Sequence, residues 1–361
     1  MKKNRTALWI GVLIVLAVAV WLLRGRIHFD WRTFATQLQH ADWKLFGVGV
    51  LLIYLAYCVR AVRWALFLEP TKKVSAASLI GTQVIGFTAV ALLGRPADPV
   101  RPYLVARRTG LPLSGQFAVY AVERIFDFGS NGIIFAAILL LSPDRKTVPH
   151  PELVNKLAVA VLLAAICLGL FAFFVRKAGH KVADFFGRSF GALSPKLGEV
   201  AREKILDFRD GLNAVNSLRA FTQATILSLI MWMMIVYAYL ETVRAFTASP
   251  PLASMTLARC TILMAASQAA STVQLPIIGW FTQIGIVAKT IQSYFGAAPE
   301  PSLGAATMLL LVTFLSVIPA GLIWSRFEHV SLKKLTEESE HAGEAMIAQP
   351  SKTDHKFVPE A

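Results

Sequence analysis

The chain has 361 residues, of which 55% are hydrophobic and only 16% charged. That excludes an ordinary soluble protein, where about a quarter of residues carry charge. The net charge of +14 would point to nucleic acid in a soluble protein, but no zinc-finger, RRM-like or related motif accompanies it, and in a membrane protein basic residues gather in cytoplasmic loops and beside anionic headgroups.

Several apolar runs approach or exceed the roughly 20 residues needed to cross a bilayer, and the alternating pattern of an outer-membrane barrel is missing. The composition predicts an all-α, polytopic helical membrane protein. Met1-Lys-Lys-Asn-Arg5 followed by the apolar run 7–23 has the outline of a signal peptide. The run is longer than a usual h-region and ends in Leu23-Arg24-Gly25-Arg26, so it reads as a retained first span with its N-terminus in the cytoplasm. The second span, 45–66, ends with Arg60 and Arg63 on neighbouring turns of one face. Segment 79–93 is short and breaks at Gly94-Arg95-Pro96-Ala97-Asp98-Pro99, which no helix traverses intact. Broken backbone at membrane depth must be covered by protein or water. Residues 79–108 are therefore expected to form a re-entrant hairpin or broken helix opening toward the cytoplasm.

Spans at 116–141 and 153–175 follow. Segment 176–219 is polar, with basic residues outnumbering acids, and the positive-inside rule places it in the cytoplasm. Its Phe185, Phe186, Phe190 and Leu193 suggest helices lying along the membrane surface. Further spans are expected at 221–240, 255–273, 284–295 and 303–324, with 274–283 lying partly within the membrane. Beyond 326 the chain is polar and is expected to be a disordered cytoplasmic tail. Together these give a membrane domain over 1–325 with about eight spans, a broken element in each half, and both termini in the cytoplasm of a bacterial-type inner membrane.

The polar residues inside the apolar helices are the informative ones, because a charge near the bilayer centre costs at least about 2.5–3.5 kcal/mol. Glu123 and Asp127 lie four apart, Asn131 follows four later, and with Gln116 and Tyr120 they form one stripe. Arg124 is within one turn of Asp127. The stripe suits either an ion-pair network that locks helices or the wall of a polar cavity. Arg95, Asp98 and Arg101 stand in the first break, with Arg107 and Arg108 close behind. They suit either bulk headgroups or a specific phosphate pocket, since Arg grips phosphate bidentately and a broken helix exposes anion-binding N–H groups. Ser267, Ser271 and Gln274 precede the Pro276/Gly279 break and Gln283 follows it, suiting helix contacts or a ligand. Arg259 and Lys289 are buried by sequence position and are candidate partners for Glu123, Asp127 or Glu241.

Catalytic motifs are missing: there is no G-x-S-x-G, H-E-x-x-H, Walker loop or paired-Asp metal motif. Cys58, Cys167 and Cys260 lack disulfide or metal spacing, and the 7 His fall in loops, at span ends or in the tail. No cofactor or metal is expected, and an enzyme is disfavoured.

The stretch GRPADPVRPYLVARRTGLPL followed by ERIFDF resembles the transmembrane, flippase-like region of lysylphosphatidylglycerol synthases. Arg95, Arg101, Glu123, Arg124 and Asp127 match that family's pattern. Ala97-Asp98 replaces its Gly-Glu pair, and Leu93 stands in place of a Pro. Pro276, Gly279 and Gln283 echo its later break, with Gln283 where the family has an acid. The resemblance spans about 10–325. It implies a membrane protein that moves a phospholipid or lipid-linked intermediate between leaflets, without the soluble aminoacyl-transferase domain. It implies headgroup contacts from Arg95, Asp98, Arg101, Glu123, Arg124 and Asp127, with Asn131, Arg259, Gln274 and Gln283 as secondary candidates. The implied partners are a membrane phospholipid or polyprenyl-linked lipid, and an envelope-synthesis enzyme. The alternatives are a transferase acting on a lipid-linked substrate and a non-transporting scaffold for envelope or glycolipid synthesis. With no ATP-binding motif, transport would run downhill, couple to an ion gradient or depend on a partner.

Overall fold

A computed structural model describes residues 30–328, apart from 144–145, 147, 149, 213–214, 216 and 272–277. The expected span at 7–23, Gln274, Pro276 and the tail from 329 lie outside the described residues.

The described residues form helices and no strands. A short α1 (Trp31–Gln39) begins at Asp30, whose carboxylate accepts from Arg32 N at 2.8 Å and Thr33 Oγ1 at 2.7 Å. Helix α2 (Trp43–Leu68) is followed by α3 (Ala76–Leu93), a single 3-10 turn at Arg95–Ala97, and α4 (Val100–Thr109). Helix α3 stops where Gly94 turns to φ +80°, a conformation open to glycine, and Pro96 and Pro99 prevent its resumption. Next come α5 (Leu113–Leu141), α6 (Pro151–Gly191), α7 (Pro195–Gly211), α8 (Leu218–Arg244) and the single turn α9 (Pro250–Ala253). Helices α10 (Leu257–Ala270), α11 (Ile278–Phe295) and α12 (Pro299–Leu310) follow, and α12 passes through a π turn at Leu311–Leu315 into α13 (Val317–Phe327). Among the described residues, 6 helices are long and apolar enough to cross a membrane: α2, α3, α5, α6, α8 and the continuous Pro299–Phe327. That roughly fits the expected count, which also includes 7–23, but two segments expected as spans, 255–273 and 284–295, are not among the six, and α3, expected not to cross, is.

Contacts at the two ends of the bundle fix its topology. At one end, Lys72 Nζ donates to Thr109 O at 2.7 Å, and Arg108 pairs with Glu328 at 3.1 Å. The entry to α3, the exit from α4 and the end of α13 therefore meet there, and α3–α4 is a hairpin whose base lies at this end. At the other end Asp42 N donates to Ala245 O at 2.8 Å, Asp30 N to Glu300 Oε1 at 3.2 Å, and Arg244 Nε to Met255 O at 2.9 Å. The start of α10 is held at that second end, and α11 finishes just before α12 starts there. Helices α10 and α11 are thus a second hairpin, and the break expected in each half is present. The two hairpins enter from opposite ends, and their tips touch: Arg95 Nε lies 3.4 Å from Ser271 O.

Segment 176–219 is helical over most of its described residues, with Phe185, Phe190 and Leu193 exposed as helices lying along a membrane surface would have them. Within the 41 residues of α6 the backbone leaves helical geometry at Ala178, so a kink separates the span from the helix that follows it to Gly191, and α7 folds back along that second part. Gly198 makes this close return possible, because a Cβ there would meet the backbone of Gly187 and Gly191. The apolar core runs along α8, where Val236 and Val243 and, just beyond the helix, Phe246, Leu252 and Met255 are fully buried.

Candidate functional site

The charged residues of α2, α4 and α5 converge. Arg60 and Arg63 face α5 from one side of α2, and the four-residue spacing of Glu123 and Asp127 stacks both carboxylates toward them. Glu123 Oε1 accepts from Arg60 Nη1 at 2.7 Å and Arg63 Nη2 at 3.0 Å, while Oε2 lies 3.3 Å from Arg101 Nη2. Asp127 accepts from Arg63 at 2.6 Å and Arg60 at 2.9 Å, and pairs with Arg124 at 3.2 Å. Arg63 also donates to Ser228 on α8 at 2.6 Å.

Aromatic faces complete the cage. Phe87 stands 5.1 Å from the Arg60 guanidinium and 4.5 Å from that of Arg101. Tyr120 stands 5.1 Å from Arg101 and 5.0 Å from Arg124. Cations are stabilised by such ring faces, more so when desolvated. The stem of Arg101 crosses α3 at Gly86, where a Cβ would overlap it. Four guanidinium groups thus face two carboxylates, a formal excess of two positive charges in the interior.

Beside this cluster lies a cavity of about 560 Å³. Arg60, Arg124 and Asp127 reach it from the cluster, and Arg95 and Asp98 from the broken segment, where they lie 3.8 Å apart. Asn131 on α5, Tyr239 on α8, Ser267 and Gln268 on α10 and Gln283 on α11 supply a neutral polar wall. That wall is hydrogen-bonded: Tyr239 Oη to Ser267 Oγ at 3.0 Å, Gln283 Nε2 to the same Oγ at 2.8 Å, and Asn131 Nδ2 to Gln268 Oε1 at 2.8 Å. The π turn of the last span places Thr313 and Phe314 on the cavity as well.

Of the sequence candidates, Arg95, Asp98, Arg124, Asp127, Asn131 and Gln283 line this one cavity. Arg101 and Glu123 stand behind it, both fully buried. Gln274 lies outside the described residues. Two expectations need correction. The partners of Glu123 and Asp127 are Arg60 and Arg63, not Arg259 or Lys289. Lys289 is exposed rather than buried, and Arg259 is half-buried away from the cavity lining. Arg60 and Arg63 stand out in the sequence as two arginines three apart in an apolar span, but were not among the candidate site residues.

Helix breaks entering from both ends around an arginine-rich interior define a multi-pass membrane protein with an internal polar site. The chain belongs to the family of the lysylphosphatidylglycerol synthase TM region, which it matches over residues 8–321. The match includes both hairpins and the whole charged cluster, and it makes this an integral membrane protein related to lipid handling. No curated protein matches the chain.

Proposed function

We propose that the chain holds the phosphate of a membrane lipid in this cavity and passes the headgroup between leaflets. The observation that carries this is the excess of positive charge beside the cavity. Buried charge without a counter-ion is costly, and a lipid phosphate supplies the missing anion. The Arg124 side chain lines the cavity and is 38% exposed, so its guanidinium is placed to meet a phosphate there.

The paired hairpins support a route. Withdrawing one tip uncovers the cavity toward one leaflet, and withdrawing the other uncovers it toward the second. Broken helices meeting from opposite sides at an internal site are a recurring transporter design. In this reading both termini face the cytoplasm of a bacterial-type inner membrane, 1–325 is the transport domain, and an envelope-synthesis enzyme supplies or consumes the lipid. Transport is downhill or driven by a partner or ion gradient.

The test is reconstitution into liposomes carrying fluorescent phospholipids or lipid-linked sugars. The fraction of label protected from an external quencher should fall in vesicles that hold the protein. Protection equal to that of empty vesicles for every lipid sinks the proposal.

A further inference from the structure

The bend in α6 lies apart from the cavity. Phe171 belongs to the span and Phe186 to the helix after Ala178, yet their ring centroids stand 6.1 Å apart. A straight helix, rising about 1.5 Å per residue, would hold positions 171 and 186 about 22 Å apart along its axis. The non-helical backbone of Ala178, at φ −131° and ψ 33°, must therefore turn the chain sharply, so that the second arm of α6 leaves the axis of the span. The inside of this elbow is aromatic. Phe186 also meets Phe185 at 5.4 Å and Phe190 at 6.2 Å, and Phe171 stacks with Phe208 of α7 at 6.4 Å. Phe185 is 61% exposed and Phe190 42%.

Contiguous exposed apolar surface marks a protein or membrane contact, and two observations favour the bilayer. The first is continuity. The most apolar stretch of α6 buries little of itself against other helices, so it faces lipid, and the ring contacts carry that apolar face round the bend without interruption. The second is charge. Lys181 and Arg188 stand one turn before and one turn after Phe185, and Lys177 holds its Nζ 5.5 Å from the Phe173 ring at the end of the span. Asp184 is taken by Arg202 at 2.8 Å. Lys181 and Lys196 are exposed and, among the described residues, pair with no carboxylate. An apolar face edged with unpaired bases suits the boundary between acyl chains and anionic headgroups. We infer that the second arm of α6, with α7 folded along it, is a foot that lies in the headgroup layer beside the span, aromatic side down, and selects anionic phospholipid. This surface is independent of what the cavity carries.

The experiment places a fluorophore on the foot of the full chain. With Cys58, Cys167 and Cys260 replaced, Ser189→Cys, at an exposed position one turn after Phe185, carries an environment-sensitive label. The protein is reconstituted in vesicles of phosphatidylcholine alone or of phosphatidylcholine mixed with phosphatidylglycerol. Quenching by a lipid with a nitroxide near its headgroup reads the embedded state, and quenching by aqueous acrylamide reads the free one. Phosphatidylglycerol should raise the first and lower the second. Lys181→Gln with Lys196→Gln should cut the embedded-to-free ratio roughly thirtyfold, at about 1 kcal/mol for each base near an anionic surface. Lys181→Arg with Lys196→Arg should keep the parent ratio, which separates lost charge from lost folding. Equal lipid quenching in the two kinds of vesicle overturns the selection of anionic lipid. Strong acrylamide quenching in both puts the foot in water and overturns the proposal outright. Protection from acrylamide that rises with the protein-to-lipid ratio, without lipid quenching, assigns the aromatic face to a second copy of the chain and also overturns it.

Discussion

Glu123 and Arg124 are neighbours in sequence with opposite surroundings: the carboxylate side chain is 0% exposed and the guanidinium side chain 38%. Neutralising Glu123 leaves Arg60, Arg63 and Arg101 short of an anion. Removing one partner of a buried pair costs about 3–5 kcal/mol, so Glu123→Gln should lower the detergent melting temperature and the expression level. Arg124→Gln should melt near the parent and yet lose lipid exchange. If its melting falls as far as that of Glu123→Gln, the cavity side of the cluster has no separable role. Arg101 holds its guanidinium 4.5 Å from the Phe87 ring centroid and 5.1 Å from that of Tyr120, and a strongly hydrated ammonium suits such a buried aromatic site less well. Arg101→Lys is therefore expected to lower stability, whereas Arg95→Lys, at a side chain 47% exposed, should leave it unchanged. Glu123, Asp127 and Asn131 were legible in the sequence because their spacing puts them on one helical face. Their arginine partners were not. Arg60 and Arg63 stand toward the end of a span, where arginines commonly reach out to headgroups, and a single sequence carries no information on which charges meet.

At the scale of the element, the first hairpin was the easier to read. Gly94 breaks a helix by its conformational freedom and Pro96 and Pro99 by their missing N–H and ring clash, and three such residues within six positions leave no alternative. The second was legible only as an interruption between two apolar runs, because nothing in 255–295 says that both halves return to the same end. The close connection of the span in α6 to the helix after Ala178 was less legible. Polarity marks where a helix leaves the bilayer, not where it stops. Residues 176–190 contain Gly179 and Gly187 but no proline, so after the kink at Ala178 the chain stays helical to Gly191 and turns before Pro195. Contact between the hairpin tips can be checked directly. With Cys58, Cys167 and Cys260 replaced, a chain carrying Arg95→Cys and Ser271→Cys should be joined within one molecule by a short bis-maleimide. Joining the tips should stop lipid exchange. Exchange that survives complete cross-linking would mean that the tips need not separate.

For the whole molecule, the end contacts divide the loops into two sets. Leu193 in the α6–α7 turn and the end of α13 belong with one end, and Ser254 before α10 with the other. Single cysteines at Leu193 and Ser254 should therefore react with a membrane-impermeant maleimide from opposite sides, with Leu193 cytoplasmic. Reaction of both from one side would dismantle the two-hairpin topology. The basic character of 176–219 carries only the expectation that it is cytoplasmic, while the return of α10 and α11 to one end needed three-dimensional contacts such as Arg244 to Met255.

The ion-pair cluster also constrains how the chain is made. Arg60 and its partner Glu123 are separated by 63 residues. At a synthesis rate of about 5–20 residues per second, α5 follows α2 out of the ribosome after about 3–13 seconds. During that interval α2 has no counter-charges, and its two arginines favour the headgroup layer over the bilayer interior. Helix α2 should first settle in a shifted register and slide to its final depth only when α5 docks. Biogenesis of this protein is then ordered by charge neutralisation rather than by hydrophobicity, and nascent chains arrested before Glu123 should hold α2 measurably shallower than released ones.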